Sequence, residues 1–313
     1  MMTQDLPSPQ DLRISNGVSS ASSTTTFSST APFPSTSEST TTTTTTDMAT
    51  ASVSKILSQP RSLAEVCAAL RAKLLAFLAL QSDDETVQGT QQRARDTMEV
   101  IEEALRRYRP QEISLSYNGG KDCLVLLILI LACWPASIIQ PSTTTTSSST
   151  TKQTLPRLQC IYIAPPDPFR EVEDFVATTT GEYHLDLARY ALPMRQALDK
   201  YLEEKPNVKA VFMGTRRTDP HSEFLTSFTP TDKGWPQFMR INPVLDWHYV
   251  EIWTFIRQLD IPFCSLYSHG FSSLGGTTNT RPNPALALDA AGNKFRPAYE
   301  LTRDDEERLG RDR

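Results

Sequence analysis

The sequence predicts an α/β fold, a parallel twisted sheet covered by helices. Three observations lead there. Four short strand-like runs alternate with helical stretches between Ile113 and Thr215. The runs are almost continuously apolar, as strands buried on both faces are. The first run passes through the glycine pair of "NGGKDC" into the long apolar segment "CLVLLILILACW", a strand–turn–helix order.

The elements follow in order. Residues from about Ser15 to Ser54 are mostly Ser and Thr, with few large side chains to offset the entropy of ordering. Residues 1–55 are therefore expected to form a disordered tail, and 56–313 one domain. Helical additions precede the sheet. "SLAEVCAALRAKLLAFLALQ" (Ser62–Gln81) and "QQRARDTMEVIEEALRRY" (Gln91–Tyr108) carry apolar residues at helical spacing. Strands are predicted at Ile113–Tyr117, Leu158–Ala164, Tyr183–Ala188 and Ala210–Thr215. Helices are predicted at Asp122–Trp134, Phe169–Thr179 and Met194–Glu204. A Ser/Thr tract at 141–156 reads as an expanded, low-complexity surface loop. A later helix, Trp247–Leu259, is expected to start from Asp246 as N-cap. The charged tail "LTRDDEERLGRDR" reads as a further helix.

Composition narrows the function classes. The 313 residues carry a net charge of −5, which argues against a nucleic-acid partner. The five cysteines are scattered and form no Cys-x-x-Cys pair, so zinc and iron–sulfur sites are not expected, and a reducing compartment is. The start has neither a secretory nor a mitochondrial pattern. The apolar run Cys123–Trp134 falls short of the roughly 20 residues that span a bilayer. These features together predict a cytoplasmic protein without a membrane partner. The four histidines match no metal spacing.

In such a sheet ligands bind beyond the carboxyl ends of the strands. Four segments meet there: "NGGKDC", "PPDPF" (Pro165–Phe169), "ARYALP" (Ala188–Pro193) and "GTRRTDP" (Gly214–Pro220). Gly119 and Gly120 let backbone approach an anion, and the following helix aims free N–H groups and its dipole at it. Lys121 adds a cation. Asn118 and Asp122 offer hard oxygen ligands for Mg2+. A plain strand–helix turn would carry the same glycine pair, and the Walker spacing is missing. Arg216 and Arg217 could fork onto phosphate, and Asp219 could ligate metal or cap a turn; an Arg-Arg pair is also common on a solvated loop.

"NGGKDC" resembles the pyrophosphatase loop of the adenine-nucleotide α-hydrolase-like families, with Asn118 and Cys123 in place of the flanking serines. Those enzymes cleave ATP between its α- and β-phosphates. The stretch Trp235–Leu286, with "RINPVLDWHYVEIW" and "GFSSLGG", is similar to the phosphoadenylyl-sulfate reductase superfamily. Within it, "SYNGGKDC", "GTRRTDP", "RINPVLDWHYVEIW" and "YELTRDDEERLGR" together resemble the eukaryotic, fungal-type FAD synthases, which are FMN adenylyltransferases. The resemblance implies ATP and FMN as substrates, FAD and pyrophosphate as products, and Mg2+ as cofactor. It implies phosphate binding by Tyr117, Gly119, Gly120, Lys121, Asp122 and Arg216, and catalytic roles for Asn118, Asp219, Arg308 and Arg311. Asn118, Asp122 and Asp219 become the candidate metal ligands. A helical tail would set Arg308 and Arg311 on one face, toward the same polyphosphate. Asp232, Trp235 and Arg240 match the family's flavin-contacting segment, although Trp235 and Phe238 also suit a core. Asp246 and Trp247 read as cap and packing. A single-chain, monomeric enzyme is expected.

Three alternatives compete. A sulfonucleotide reductase needs a nucleophilic cysteine near the C-terminus, and none follows Cys264. A tRNA-thiolating enzyme would want paired cysteines and a basic face. A non-catalytic nucleotide- or flavin-binding regulator is opposed by the intact set of candidate residues.

Overall fold

The computed structural model describes residues 61–134, 156–289 and 292–312. The expected tail at 1–55 and nearly all of the tract at 141–156 lie outside the described residues.

Two helices precede the sheet. α1 (Leu63–Ala79) opens at Ser62, whose hydroxyl accepts from the Glu65 N–H while the Glu65 carboxylate accepts from the Ser62 N–H. α2 (Glu85–Arg107) starts earlier than Gln91 because Asp84 caps it, accepting from Thr86 and Val87. Arg106 and Arg107 close its last turn, where cations suit the dipole.

The sheet has six strands in the order β3-β2-β1-β4-β6-β5. β1 (Ile113–Ser116), β2 (Gln159–Ile163), β3 (Asp186–Tyr190), β4 (Ala210–Phe212) and β6 (Met239–Ile241) are parallel; β5 (Phe228–Pro230) runs antiparallel to β6. The central register sets Leu115 between Cys160 and Phe212. Alternate residues serve opposite faces, so Cys160 and Tyr162 join the main core while Ile161 and Val211 join a second cluster with Tyr201.

α3 (Lys121–Cys133) is buried along nearly its whole circumference. A helix apolar all round belongs in a core, and among the described residues no helix is long and apolar enough to cross a membrane. α4 (Arg170–Glu182) packs in the same main core, and α5 (Met194–Glu204) in the second cluster.

Three expectations need correction. β3 begins at Asp186, not Tyr183, because α4 continues to Glu182 and His184 reverses the chain with φ +53°. β5 and β6 were not predicted: each has three residues, too short for a periodic signal, and Pro230 is tolerated because β5 is an edge strand. Asp246 does not cap the last helix, α6 (Tyr249–Gln258). Its N-cap is His248, and Asp246 instead pairs with Arg217 at 2.6 Å. Trp247 packs as expected, its indole N–H donating to Thr97.

The chain passes from β1 outward to β2 and β3, then returns to β4 on the other side of β1. The loops after β1 and β4 therefore part from each other, and a crevice opens between them.

Candidate active site

The crevice is built on the turn from β1 into α3. Gly119 has φ +72°, a left-handed conformation that favours glycine. A Cβ there would also lie 2.9 Å from a Val176 methyl carbon. Gly214 after β4 has the same kind of constraint, since a Cβ would sit 2.6 Å from the Cys123 sulfur. The loop after β1 thus packs against α4, and the loop after β4 against the start of α3.

Asn118 turns back so that its Oδ1 accepts from the Gly120 N–H at 2.9 Å. The Lys121 N–H donates to the Tyr267 hydroxyl, also at 2.9 Å. Lys121 is buried; its ammonium pairs with Glu307 and, at 3.0 Å, with Asp122, and it lies 5.1 Å from the Tyr249 ring centre. Burial by itself would raise the Asp122 pKa, but Lys121 and Arg216 hold it below the usual carboxylate value.

Arg216 corrects an expectation. It is 1% exposed and does not present a free fork to phosphate. Its guanidinium meets Asp122 at 2.7 Å, Asp304 at 3.4 Å and Glu307. Burial alone would lower its pKa; Asp122 and Glu307 outweigh that and raise it. Tyr117 is a second correction. Its ring is in the core and its hydroxyl donates to Thr179 at 2.9 Å, so it has no contact to offer ATP.

Asp219 accepts from the Arg216 N–H at 2.9 Å and faces Arg308 at 3.9 Å. The tail is not the expected α-helix. It makes one 3-10 turn, Asp304–Glu306, and then a bridge between Thr280 and Arg311. Arg308 and Arg311 consequently enter two different cavities.

The smaller cavity, of about 240 Å3, is lined by Asn118, Gly120, Asp122, Asp219, Tyr267 and Arg308, among others. The larger, of about 600 Å3, is mainly apolar, with Tyr162, Pro165, Phe169 and Leu192 in its wall and Arg311 at its edge. Asn118 borders both. A narrow polar cleft beside a broad apolar slot suits a polyphosphate attached to a flat ring system. A third cavity, of about 680 Å3, contains none of the predicted residues.

Among the described residues no three His, Cys, Asp or Glu side chains converge as a metal cluster. Magnesium commonly binds nucleotides through one or two carboxylates plus phosphate oxygens. Asp122 Oδ2 accepts from Lys121, its Oδ1 lies 2.7 Å from Arg216 Nε as an ion pair without an aligned hydrogen bond, and Asn118 Oδ1 accepts from Gly120. Asp219, facing only Arg308 at 3.9 Å through Oδ1, retains the most capacity for a cation. The charge balance fits one: Lys121, Arg216 and Arg308 face Asp122, Asp219, Asp304 and Glu307, leaving carboxylates in excess before any phosphate enters.

The flavin segment is placed elsewhere. Residues 231–238 connect β5 to β6 at the amino ends of the parallel strands, opposite the crevice. Asp232 and Arg240 pair there at 3.5 Å, and Trp235 is 40% exposed. None of the three lines either crevice cavity.

Sequence reasoning missed Glu307, Asp304 and Tyr267. Glu307 and Asp304 sit in a charged tail whose acids look solvated, and Tyr267 sits in "SLYSHGF", which reads as packing. The cysteines do not support the reductase alternative. Burial pushes the Cys67, Cys123 and Cys133 thiols up to about 12 and raises those of Cys160 and Cys264, opposite to what a nucleophilic thiolate needs.

Comparison with known proteins places these features. Residues 188–282 match the phosphoadenosine phosphosulfate reductase domain family. A probable FAD synthase of Schizosaccharomyces pombe is 38% identical over 227 residues, covering 72% of this chain and 82% of that protein. The flavin adenine dinucleotide synthase of Saccharomyces cerevisiae is 34% identical, with 72% and 77% covered. The crystal structure of Candida glabrata FMN adenylyltransferase in complex with FAD and inorganic pyrophosphate superposes with a TM-score of 0.73 at 28% identity, covering 82% of this chain and 99% of that one. With its pyrophosphate-loop turn, its two joined cavities and these relatives, the chain belongs to the FAD synthase family.

Proposed function

We propose that this FAD synthase joins the adenylyl group of ATP to FMN in the crevice between β1 and β4. A phosphate oxygen of FMN bonds to the α-phosphorus of ATP, the bond to the bridging oxygen breaks, and pyrophosphate leaves. The observation that carries this reading is the meeting of the polar and apolar cavities at Asn118, with Arg308 on one side and Arg311 on the other.

Little covalent help is required from the chain; positioning and charge compensation supply the rate. The apolar cavity takes the adenosine. The polar cleft takes the departing pyrophosphate, with Arg308 against its charge and the turn through Gly119 and Gly120 shaping its floor. Asn118 orients the α-phosphate at the junction. Lys121 and Asp122 set the local field from fixed positions. Arg216 supports them from behind the cleft. Mg2+ held by Asp219, with Asp122 close by, would neutralise polyphosphate charge.

The test is incubation with FMN, ATP and magnesium, separating flavins by chromatography. FAD and pyrophosphate should accumulate together, and a chelator should stop both. Absence of FAD would overturn the reading. Asn118→Ala and Arg308→Ala should each lower turnover about tenfold, about 1.4 kcal/mol of barrier. Asp232, Trp235 and Arg240 match the family's flavin-contacting segment but line neither crevice cavity, so the flavin ring is left to the crevice, where the FMN phosphate has to meet the α-phosphate. Asp232→Ala should therefore leave FMN affinity unchanged in a fluorescence titration, and weakened binding would return the ring to that segment. The active unit is taken as a monomer, since one chain lines both cavities; sedimentation of the active species tests this. A cytoplasmic location accords with five free thiols.

A further inference from the structure

Tyr267 is a tyrosine whose environment is more specific than packing requires. It lies in the 3-10 turn Ser265–His269, 1% exposed, with its ring edge-on to Trp253 at 5.1 Å between centroids and to Phe263 at 6.5 Å. That aromatic wall fixes the ring. The hydroxyl is thereby held at the N-terminus of α3, accepting the Lys121 N–H at 2.9 Å, and it borders the small polar cavity.

A phenol both accepts and donates. The accepting half is used by Lys121. For the donating half, no hydrogen bond is made among the described residues, and the residue borders the small cavity, which leaves the donor available there. A hydroxyl that accepts from an amide at a helix N-terminus becomes a stronger donor itself, because successive hydrogen bonds polarise one another. Burial also pushes the Tyr267 pKa well above its usual value, and Asp122 adds to that, so the group stays a donor and does not act as a base.

We infer that Tyr267 is an unassigned phosphate-binding residue: it passes the α3 N-terminal dipole through its hydroxyl and donates to an oxygen of the leaving pyrophosphate. Two amides that a generic anion cradle would offer, those of Gly120 and Lys121, are already taken by Asn118 and Tyr267. The tyrosine hydroxyl replaces one of them as donor. This inference takes the identity of the anion from the adenylyltransferase reading.

Tyr267→Phe in the full chain removes one oxygen and keeps the ring. Titration with inorganic pyrophosphate and magnesium, followed by calorimetry, should show affinity about tenfold weaker than wild type. Turnover should fall by a similar factor, with the KM for FMN unchanged. A merely structural role would lower the thermal midpoint and leave pyrophosphate affinity intact. Wild-type affinity and turnover in a folded variant would overturn the inference. Should the variant not fold, 3-fluorotyrosine at position 267 keeps the hydroxyl. Its fluorine resonance should shift on adding pyrophosphate, and an unmoved resonance would equally overturn it. If wild-type protein binds pyrophosphate yet makes no FAD, the adenylyltransferase reading fails while the donor assignment is still decided by the titration.

Discussion

Glu307 is the residue on which the charged site turns. Its buried carboxylate pairs with both Lys121 and Arg216, two cations that are themselves 1% exposed. Removing one member of a buried ion network leaves the others uncompensated, at a cost of about 3–5 kcal/mol. Glu307→Ala should therefore lower the unfolding free energy by about that amount in a urea titration. A loss below 1 kcal/mol would mean that the network relaxes onto Asp122 and Asp304. Arg308, half-exposed and 3.9 Å from Asp219, belongs to a different class. Arg308→Ala should leave the urea midpoint nearly unchanged while turnover falls, because an exposed pair at that distance contributes little stability.

At the scale of elements, the turn from β1 into α3 and the C-terminal tail make one assembly. Gly119→Ala should destabilise the protein by about 1–2 kcal/mol, the cost of a left-handed conformation for an L-residue. The close Val176 methyl adds to it. Equal stability of variant and wild type in thermal unfolding would show that the turn can re-form with negative φ. The tail is fastened from the other side. Asp304 accepts the Tyr249 N–H at 2.6 Å and His248 at 2.7 Å, while the Ser272 hydroxyl donates to the Glu307 carbonyl. Asp304 thus satisfies the first free amide of α6, the role that the sequence suggested for Asp246. Local spacing could not reveal this, because the capping carboxylate comes from 55 residues downstream.

For the whole molecule, the Asp122 network implies a direction for acid stability. The folded pKa of Asp122 is below its ordinary value of 3.8, so its contribution is fully present above that pH. The contribution is lost as pH falls through the folded pKa, when the carboxylate is protonated in both states. Urea unfolding of wild type and Asp122→Asn from pH 7 downward should give a stability gap that narrows below pH 3.8. A gap that stays constant down to the acid limit would mean that Asp122 contributes through shape and not charge.

The sequence by itself determined the α/β class, the first four strands, the glycine turn at the switch point and several residues that line the crevice, Asn118, Asp122, Asp219 and Arg308 among them. It could do so because each rests on local signals: apolar runs, a glycine pair and short motifs. Only the tertiary structure decided which charges are available. Lys121 and Arg216 read in sequence as free cations for phosphate, yet burial obliges them to find carboxylates, and the tail supplies those from about 90 and more positions away. Arg308 and Arg311 likewise read as neighbours on one helix. One 3-10 turn and a bridge to Thr280 send them to separate cavities, because the tail gains more from docking against the fold than from three-residue periodicity of its own.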